Sequence, residues 1–419
     1  MSHPSFSLKA SPKELLAKYR RVRDQTTHLC EPLEKEDFVV QPIMDVSPPK
    51  WHLAHTTWFF ETFILKDYFE GYQLFDKNYP YLFNSYYISA GDRWSRTQRG
   101  HLTRPTVDEI FSYRAYVDEH IYKLFDLIQF DEQLNYVFEV GLNHEQQHQE
   151  LLLYDIKYIL GSNPLFPVYR ETNHVKQRPL EQSWLSVDEG IYEIGHQGDG
   201  YKFDNELGCH KVFLNPFSIS SQLVTNSEYL AFIEAGGYEN HQFWLSEGWD
   251  WINNAVEKAP LYWHKINGEW YTYNLAGSEK LDLSEPVAHV SFYEADAFAR
   301  WKGLRLPSEF EWEIACNKYS DLVQNGNFVE KELYRPHNEN KQFFGNLWQW
   351  TSTPYRPYPG FQPADGALGE YNGKFMINTM VLRGGSYATP QDHIRSTYRN
   401  FFHPNLQWMF AGIRLAQDL

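Results

Sequence analysis

The chain contains 419 residues, of which 42% are hydrophobic and 17% aromatic, enough for two or three domains with sizeable cores. Its formal net charge of −16 argues against a nucleic acid or an anionic membrane as partner, because binding to a polyanion depends on Lys and Arg side chains. The three cysteines form no C-x-x-C pair, so neither a disulfide framework nor a thiolate zinc site is predicted. Without a signal peptide or an apolar stretch of about 18 residues, we expect a soluble, cytoplasmic protein.

The first part of the chain has the pattern of long helices. Between about residues 10 and 162, four segments place apolar residues at spacings of three and four. Ser11 and Thr106 stand where N-caps are expected, and Gly161 stands at a helix end. Four long helices predict a bundle, which we assign to residues 1–165.

The rest of the chain follows a different pattern. Residues 166–184 contain prolines and no sustained periodicity, which predicts a linker wrapped on the surface. Short segments interrupted by Gly, Pro, Asn and Trp then indicate an α+β domain with much irregular structure over residues 185–419. In that domain only TNSEYLAFIEAG and YEADAFARWKG have a clear helical pattern.

Two histidine pairs on separate predicted helices are candidate metal ligands. In NHEQQHQELL, His144 and His148 lie one turn apart, about 40° from each other around the helix axis, which suits two imidazoles on one ion. That spacing alone is weak evidence in a chain with 17 histidines. WHLAHTTWFFETF adds His52 and His55 among apolar neighbours, and a bundle brings such helices face to face. We expect a three-histidine site completed by His55, with His52 as the alternative.

Two neighbouring polar residues have different expected positions. Glu150 points about 160° away from His148 on a straight helix, which disfavours a site of two histidines and one carboxylate. Gln147 lies about 60° from His144 and is placed to bind a substrate, or else it is an amide on the helix surface. Three neutral imidazoles leave several coordination positions free, so zinc hydrolysis and iron oxygen chemistry both remain open.

Several stretches of the second half resemble a known fold. PFSISSQLVTNSEYLAFIEAGGY, PVAHVSFYEADAFARWKGLRLPSEFEWEIAC, GNLWQWT, VLRGGSYAT and FAGIRLA closely resemble the formylglycine-generating-enzyme, or sulfatase-modifying-factor, fold over nearly all of residues 185–419. The resemblance implies a C-type-lectin-like α+β domain. Formylglycine-generating enzymes bind copper through a cysteine pair near the C-terminus, whereas HIRSTYRNFFHPNLQWMFAGIRLAQD contains no cysteine, so that activity is not expected.

The first half resembles the DinB-like metal-binding four-helix bundle. LAH together with HEQQHQE is similar to the H-x-x-x-H-x-E signature of the iron-dependent sulfoxide synthases of ergothioneine and ovothiol biosynthesis. On both halves the chain is identified as a member of the ergothioneine-type sulfoxide synthases. The resemblance implies Fe(II) held by His55, His144 and His148. It also implies O₂-dependent joining of a thiol sulfur to imidazole C2 of Nα-trimethylhistidine (hercynine), giving a sulfoxide.

A loop of the first half offers candidates for the proton donor. Tyrosine is the usual donor in this family, and in actinobacterial relatives it comes from the C-terminal domain. No tyrosine of YRPYPGFQPADGALGEYNGKF aligns clearly with it. Tyr86 and Tyr87, in LFNSYYISAGDRWSRTQRGHLTRP, are therefore the candidate catalytic residues, Tyr86 first, with ordinary aromatic packing as the alternative.

The same loop carries four arginines, Arg93, Arg96, Arg99 and Arg104. A guanidinium group matches a substrate carboxylate through two parallel hydrogen bonds. Arg96 and Arg99 correspond best to the family's region for the sulfur substrate. A solvated surface position is the alternative for each of the four.

Near the C-terminus, YRNFFHPN resembles the strip that binds the trimethylammonium group in the family. Asn400 is carried over, and Phe401 stands where relatives have Trp, still able to attract a quaternary ammonium through its ring face. Phe402 and Leu406 replace an aspartate and an arginine that bind the glutamyl end in relatives that use γ-glutamylcysteine. Loss of both polar partners predicts that cysteine is the sulfur donor.

Other functions remain open at this stage. An ovothiol-type synthase would join histidine to cysteine, and a selenoneine-type synthase would use a selenosugar. The ovothiol type usually carries a further methyltransferase domain, and this chain has no nucleotide-binding glycine loop. A non-catalytic protein that binds a metal or another ligand is an alternative of a different class.

Overall fold

The computed structural model describes residues 11–172, 177–255, 257–320, 323–363 and 367–419. These residues form two compact units. Unit 1 contains the described chain as far as Pro164, together with Gly198–Tyr201 and the described part of Pro363–Tyr371. Unit 2 contains the described parts of Leu165–Gln197, Lys202–Gln362 and Asn372–Leu419. In the described chain, no helix combines the length and the apolar character needed to span a membrane.

Unit 1 is helical. Its helices are α1 (Pro12–Cys30), α2 (Pro49–Phe60), the short α3 (Lys66–Tyr68) and α4 (Tyr79–Phe83), α5 (Val107–Leu127) and α6 (Glu132–Gly161). Ser11 and Thr106 cap α1 and α5, each in a capping box with the glutamate three residues later. α6 ends at Gly161. Both predicted N-caps and the predicted helix end are therefore confirmed.

Helix α2 lies in the centre of unit 1. All twelve of its residues are buried, including the polar side chains of Lys50, His52 and His55. It continues through a π-helical turn, Glu61–Leu65, into α3. The Glu61 carboxylate is fully buried there and accepts hydrogen bonds from Tyr72, Tyr113 and the backbone of Phe75. Its burial is therefore accompanied by three donors.

A buried ion cluster connects α1, α5 and α6. The Glu145 carboxylate accepts from Arg23 at 3.0 Å, from Arg114 at 3.0 Å and from the Thr26 hydroxyl at 2.7 Å. Burial alone would raise the pKa of Glu145, but the two guanidinium groups and the hydroxyl together hold it below its ordinary value. The carboxylate therefore stays ionised inside the bundle, because each of its oxygens has a donor.

Unit 2 contains four small sheets. Their strands are β1 (Trp184–Val187), β2 (Gly190–Ile194), β3 (His210–Leu214), β4 (Phe217–Ser220), β5 (Trp263–Ile266), β6 (Glu269–Asn274), β7 (Gly277–Lys280), β8 (Trp348–Pro354), β9 (Met380–Arg383), β10 (Asn400–Phe402), β11 (Ala411–Gly412) and β12 (Ala416–Asp418). The sheet orders are β1-β4-β12, β10-β9-β8-β11, β2-β3 and β5-β6-β7. All neighbouring strands are antiparallel except β11 and β8, which are parallel. Short strands and long connections agree with the predicted irregular α+β domain.

Unit 2 has two helices that the sequence pattern did not predict. Besides α7 (Asn226–Glu234) and α9 (Phe292–Trp301), it contains α8 (Ser246–Asn253) and α10 (Glu309–Tyr319). The pattern of α10 is hidden because its glutamates point inwards. Glu309 pairs with Arg399 at 2.8 Å, and Glu313 pairs with Arg383. In a hydrophobicity pattern, a charged residue of a buried ion pair cannot be distinguished from an exposed charged residue.

The predicted linker is attached to unit 2 where it is described. Tyr169 is only 3% exposed, and the backbone N–H groups of Tyr169 and Arg170 both donate to the carbonyl of Leu275. The other described residues of 166–184 are half-buried or exposed, so Tyr169 anchors a segment that otherwise lies near the surface.

Candidate metal centre

Three imidazole rings meet inside unit 1. His55 lies on α2, and His144 and His148 lie one turn apart on α6. Each offers one nitrogen, and these three atoms lie within 4.8 Å of one another. All three side chains are buried. The structure thus brings together the three histidines that the sequence had predicted as metal ligands.

The position of His55 is fixed by its neighbours. Its Nδ1 lies 2.6 Å from the carbonyl oxygen of Phe83, so Nδ1 carries the proton and donates. Its ring is stacked with Trp51 at 4.5 Å and with Trp58 at 5.4 Å. The remaining nitrogen, Nε2, lies 3.1 Å from Nε2 of His144. A cation that binds both nitrogens would take the place of the hydrogen bond that this distance allows.

His52, the alternative third ligand, lies behind the cluster. Its Nδ1 is 2.9 Å from Nδ1 of His148, and its Nε2 is 2.9 Å from a carboxylate oxygen of Asp155. Both of its nitrogens therefore have partners within the protein. Glu150 accepts a 2.5 Å hydrogen bond from Tyr154 and does not belong to the group of candidate ligands.

The three rings are uncharged, which is the state that binds a metal cation. Burial lowers the pKa of His55 and His148 well below the ordinary value, and it lowers that of His144 to about 3. The rings are therefore neutral near pH 7, as metal-binding imidazoles must be. Within the described residues, Nδ1 of His144 is buried and has no hydrogen-bond partner. The chemistry of this donor set fits a divalent transition metal.

Three tyrosines lie near the histidines. The rings of Tyr86 and Tyr87 are stacked at 4.6 Å, and their hydroxyl oxygens are 3.5 Å apart. The Tyr87 ring lies 6.5 Å from that of His144, whereas the ring of Tyr371 lies closer, at 5.9 Å. The Tyr371 hydroxyl donates to the side-chain carbonyl of Gln147. Gln147 is therefore engaged by a tyrosine rather than being a solvated surface amide.

The arginines of the loop have different environments. Arg93 and Arg96 are exposed, and each donates to a backbone carbonyl, of Ser85 and Asp45 respectively. Arg99 is buried, and its guanidinium lies 3.2 Å from the centre of the Trp51 ring. Since Trp51 is stacked on His55, Arg99 is the predicted arginine that the structure connects to the histidine cluster.

The hydrogen bonds of Arg99 go to neutral hydroxyl groups. It donates to the hydroxyls of Ser47 at 2.8 Å and Ser85 at 3.0 Å, and its Nε is buried without a partner among the described residues. Burial lowers the pKa of this guanidinium well below its ordinary value, and repulsion from Arg96 adds to the effect, whereas the charge of Asp155 opposes it. A buried cation with only hydroxyl acceptors is suited to an anionic ligand.

Comparison with known proteins assigns both parts of the chain. Residues 170–340 and 339–419 match the family described as sulfatase-modifying factor enzyme 1-like domain, and residues 18–152 match the DinB superfamily. The hercynine oxygenase of Mycobacterium tuberculosis is 30% identical to the chain, over 98% of this chain and 100% of its own length. The chain belongs to the hercynine oxygenase family.

Other relatives agree with that assignment. The hercynine oxygenase of Mycolicibacterium thermoresistibile is 31% identical over 68% of this chain and 69% of its own. The ergothioneine biosynthesis protein 1 of Schizosaccharomyces pombe is 26% identical over 57% of this chain and 30% of its own length. The solved structure of PvdO from Pseudomonas aeruginosa has a TM-score of 0.40 and 17% identity over 56% of this chain and 94% of its own, a likeness too distant to carry a functional argument. The predicted family and the predicted α+β class with a DinB-like part followed by a sulfatase-modifying-factor part are confirmed.

The residues that the hercynine oxygenase resemblance assigned near the C-terminus lie in unit 2. Asn400, Phe401 and Phe402 form β10, and the side chain of Asn400 accepts from the backbone N–H of Phe401. The Phe401 ring is stacked with that of Tyr355 at 4.1 Å. The Phe402 ring lies 5.1 Å from that of Trp408. β10 is therefore an aromatic strip, as its sequence suggests.

The structure adds residues to the site that the sequence did not identify. Trp51 connects His55 with Arg99, and Asp155 contacts His52. Tyr371 lies in YRPYPGFQPADGALGEYNGKF, the stretch in which no tyrosine aligned clearly with the one that actinobacterial relatives use, and no periodicity marks it. Asp155 has a signal in the sequence, because it follows His148 by seven residues and therefore lies on the same face of α6.

Proposed function

We propose that the chain is an Fe(II)- and O₂-dependent sulfoxide synthase that joins the thiol of cysteine to imidazole C2 of hercynine. The single observation that carries this proposal is the cluster of His55, His144 and His148, which contains three neutral imidazoles and no carboxylate. The names of the relatives supply the substrate and the pathway, since they include hercynine oxygenases and an ergothioneine biosynthesis protein.

The donor set is suited to iron. His55, His144 and His148 would hold Fe(II) and would leave other coordination positions for a thiolate, for a substrate imidazole and for O₂. When bound, Fe(II) would supply the redox chemistry with O₂ that the resting side chains lack. The protein's own contribution is positioning, because sulfur and the imidazole carbon must begin close to contact.

Arg99 is the proposed receptor for the carboxylate of the sulfur substrate. A bound carboxylate would give its buried guanidinium the counter-ion that Ser47 and Ser85 do not provide. Because Trp51 lies between Arg99 and His55, a thiol held by its carboxylate at Arg99 would be near the histidines. Arg93 and Arg96 are exposed, and we assign them an auxiliary role in attracting the anion.

The tyrosine hydroxyls are the proposed proton donors. Burial raises the pKa of Tyr87 well above its ordinary value, and Tyr86 adds to the rise, so the phenol keeps its proton at neutral pH. Tyr86, 3.5 Å away, is placed to pass a proton to or from it. Tyr371 is a further candidate because of its contact with Gln147.

We propose cysteine rather than γ-glutamylcysteine as the sulfur donor. Phe402 and Leu406 are both apolar, and no free charge is available from these two side chains to bind a glutamyl group. Asn400 and Phe401 remain the candidates for the trimethylammonium end of hercynine. A higher kcat/KM with γ-glutamylcysteine than with cysteine would overturn the choice of donor without affecting the metal site.

One experiment tests the reaction itself. Fe(II)-loaded protein is incubated with O₂, cysteine and either hercynine or histidine, and the product is identified by its mass and by NMR of the carbon bonded to sulfur. The proposal predicts a sulfoxide at imidazole C2, formed from hercynine. Bonding at another ring carbon with histidine would indicate an ovothiol-type enzyme, and reaction only with a selenosugar would indicate a selenoneine-type enzyme. Absence of O₂ uptake with every substrate pair would indicate a non-catalytic metal-binding protein.

A further inference from the structure

We propose that Asp155 and His52 are positioning residues that fix the tautomer of His148, so that His148 presents Nε2 to the metal. Asp155, His52 and His148 form a continuous chain of two contacts, each 2.9 Å long. This inference rests on the proposed metal site and explains how one of its ligands is oriented. The three residues lie on the buried faces of α2 and α6.

The direction of the chain follows from Asp155. Its Oδ2 accepts the backbone N–H of Ser47 at 2.8 Å and lies 2.9 Å from Nε2 of His52. An ionised carboxylate only accepts hydrogen bonds, so Nε2 of His52 carries a proton and donates it. In a neutral imidazole the other nitrogen then has a lone pair, and Nδ1 of His52 is the acceptor. His52 therefore needs a donor opposite its Nδ1.

His148 supplies that donor. Its Nδ1 lies 2.9 Å from Nδ1 of His52 and must carry the proton, which leaves the lone pair of His148 on Nε2. The opposite polarity needs a proton on both nitrogens of His52, and it would put the proton of His148 on Nε2, where no metal could bind. A single arrangement of protons thus satisfies both contacts and leaves a metal-binding nitrogen.

His55 also carries its proton on Nδ1, but its hydrogen-bond partner is a backbone carbonyl. Its Nδ1–H donates to the carbonyl of Phe83 at 2.6 Å, so its lone pair is on Nε2, the nitrogen that faces His144. His144 has no corresponding partner for Nδ1 among the described residues. Outer partners of this kind commonly change metal affinity by about 10- to 100-fold when they are removed. We therefore expect the loss of His52 to weaken the site strongly while the three ligands remain in place.

The test uses the full-length protein and two readouts. Co(II) affinity is measured by chelator competition, and the proton of each histidine ring is located by ¹⁵N–¹H correlation NMR on metal-free protein with ¹⁵N-labelled histidine. In the native protein, His148 should carry its proton on Nδ1. His52→Leu should lose this single tautomer and bind Co(II) about 10- to 100-fold more weakly. His52→Asn places an amide oxygen near the position of Nδ1 and should restore most of the affinity.

Asp155→Asn and Glu61→Gln form a matched pair. Both replace a buried carboxylate in unit 1 by an amide, but Glu61 contacts Tyr72, Tyr113 and the Phe75 backbone and none of the candidate ligands. Asp155→Asn should weaken Co(II) binding, and Glu61→Gln should leave it unchanged even if both variants melt at a lower temperature. Equal effects of the two substitutions on affinity would overturn the proposal.

The remaining outcomes separate the two proposals. A proton on Nε2 of His148 in the native protein, an unchanged affinity in His52→Leu, or equal losses in His52→Leu and His52→Asn would reject the positioning role. If native protein has the predicted His148 tautomer but binds neither Co(II) nor Fe(II), the chain of contacts stands and the proposed metal-dependent function fails.

Discussion

Two buried polar regions lie along α6, and they differ in whether the protein itself supplies all the partners of their polar atoms. At Glu145, two arginines and a threonine hydroxyl supply donors to a single carboxylate, and the cluster is complete within the protein. One residue earlier, His144 belongs to a group of three buried, neutral histidines whose ring nitrogens converge and which contains no carboxylate. Burial of polar groups costs free energy unless they are satisfied. The complete cluster therefore stabilises the bundle, and the incomplete one marks where a ligand belongs.

The largest effect is expected from removing a ligand of the incomplete cluster. His148→Ala should abolish stoichiometric Fe(II) binding and turnover, because two imidazoles seldom hold Fe(II) tightly. His55→Ala should behave in the same way. Iron content after gel filtration measures the effect, and circular dichroism checks that the helices remain. Stoichiometric iron in either variant would contradict the assignment of the ligands.

The complete cluster should respond through stability instead. Arg114→Met removes one of the two guanidinium groups from the buried Glu145 carboxylate and should lower the free energy of unfolding by about 3–5 kcal/mol. Metal affinity measured at a temperature where the variant is folded should remain close to that of the native protein. A large loss of affinity with unchanged stability would reverse the roles given to the two regions.

Arg99 should show a smaller effect that is confined to the substrate. Arg99→Met retains an apolar contact with Trp51 but removes the charged donors. It should lower kcat/KM for cysteine, and the loss of transition-state stabilisation should be about 1.5–3 kcal/mol. The exposed Arg93 provides the matched control, since Arg93→Met should change kcat/KM far less. Equal losses in the two variants would exclude Arg99 as a specific carboxylate receptor.

A further effect, on stability alone, concerns a carboxylate of unit 2 that has only neutral donors. Burial raises the pKa of Glu294 to about 6, although Tyr238, Ser291 and Gln407 donate to it. Because the folded-state pKa lies above the unfolded value of 4.5, this contribution to stability is complete below pH 4.5 and is lost as the pH rises through 6. The loss amounts to about 2 kcal/mol, from 1.36 kcal/mol per pKa unit.

Thermal melts of the native protein and Glu294→Gln at pH 5 and pH 7.5 measure this loss. The amide does not ionise, so the difference in melting temperature between the two proteins should shift in favour of the variant at the higher pH. A difference independent of pH would mean that Glu294 has an ordinary pKa, and that neutral donors satisfy a buried carboxylate as well as arginines do.

The sequence predicted those parts of the molecule that depend on periodicity. The long helices of unit 1, the caps at Ser11 and Thr106, and the shared face of His144 and His148 all follow from spacing along one helix. The approach of His55 to His144 and His148 was expected only from the packing of α2 against α6, and the structure shows this packing. Periodicity failed at α10, where buried Glu309 and Glu313 carry arginine partners that are distant in sequence.

The remaining site residues depend on contacts that no local pattern encodes. Arg99 differs from Arg93 and Arg96 in its burial, its stacking on Trp51 and its two serine acceptors, none of which is visible in the sequence. Tyr371 reaches Gln147 from a position more than 200 residues away in sequence. Roles for Tyr86, Tyr87, Asn400, Phe401 and Phe402 remain predictions, since they concern substrates rather than the fold.

Crystallography of protein loaded with Mn(II) in place of iron tests the central claim most directly. Anomalous difference density, measured on both sides of the manganese absorption edge, locates the ion without reference to the protein. The account predicts one peak per chain, bonded to the Nε2 atoms of His55, His144 and His148. A peak at other residues, or coordination of His148 through Nδ1, would contradict it.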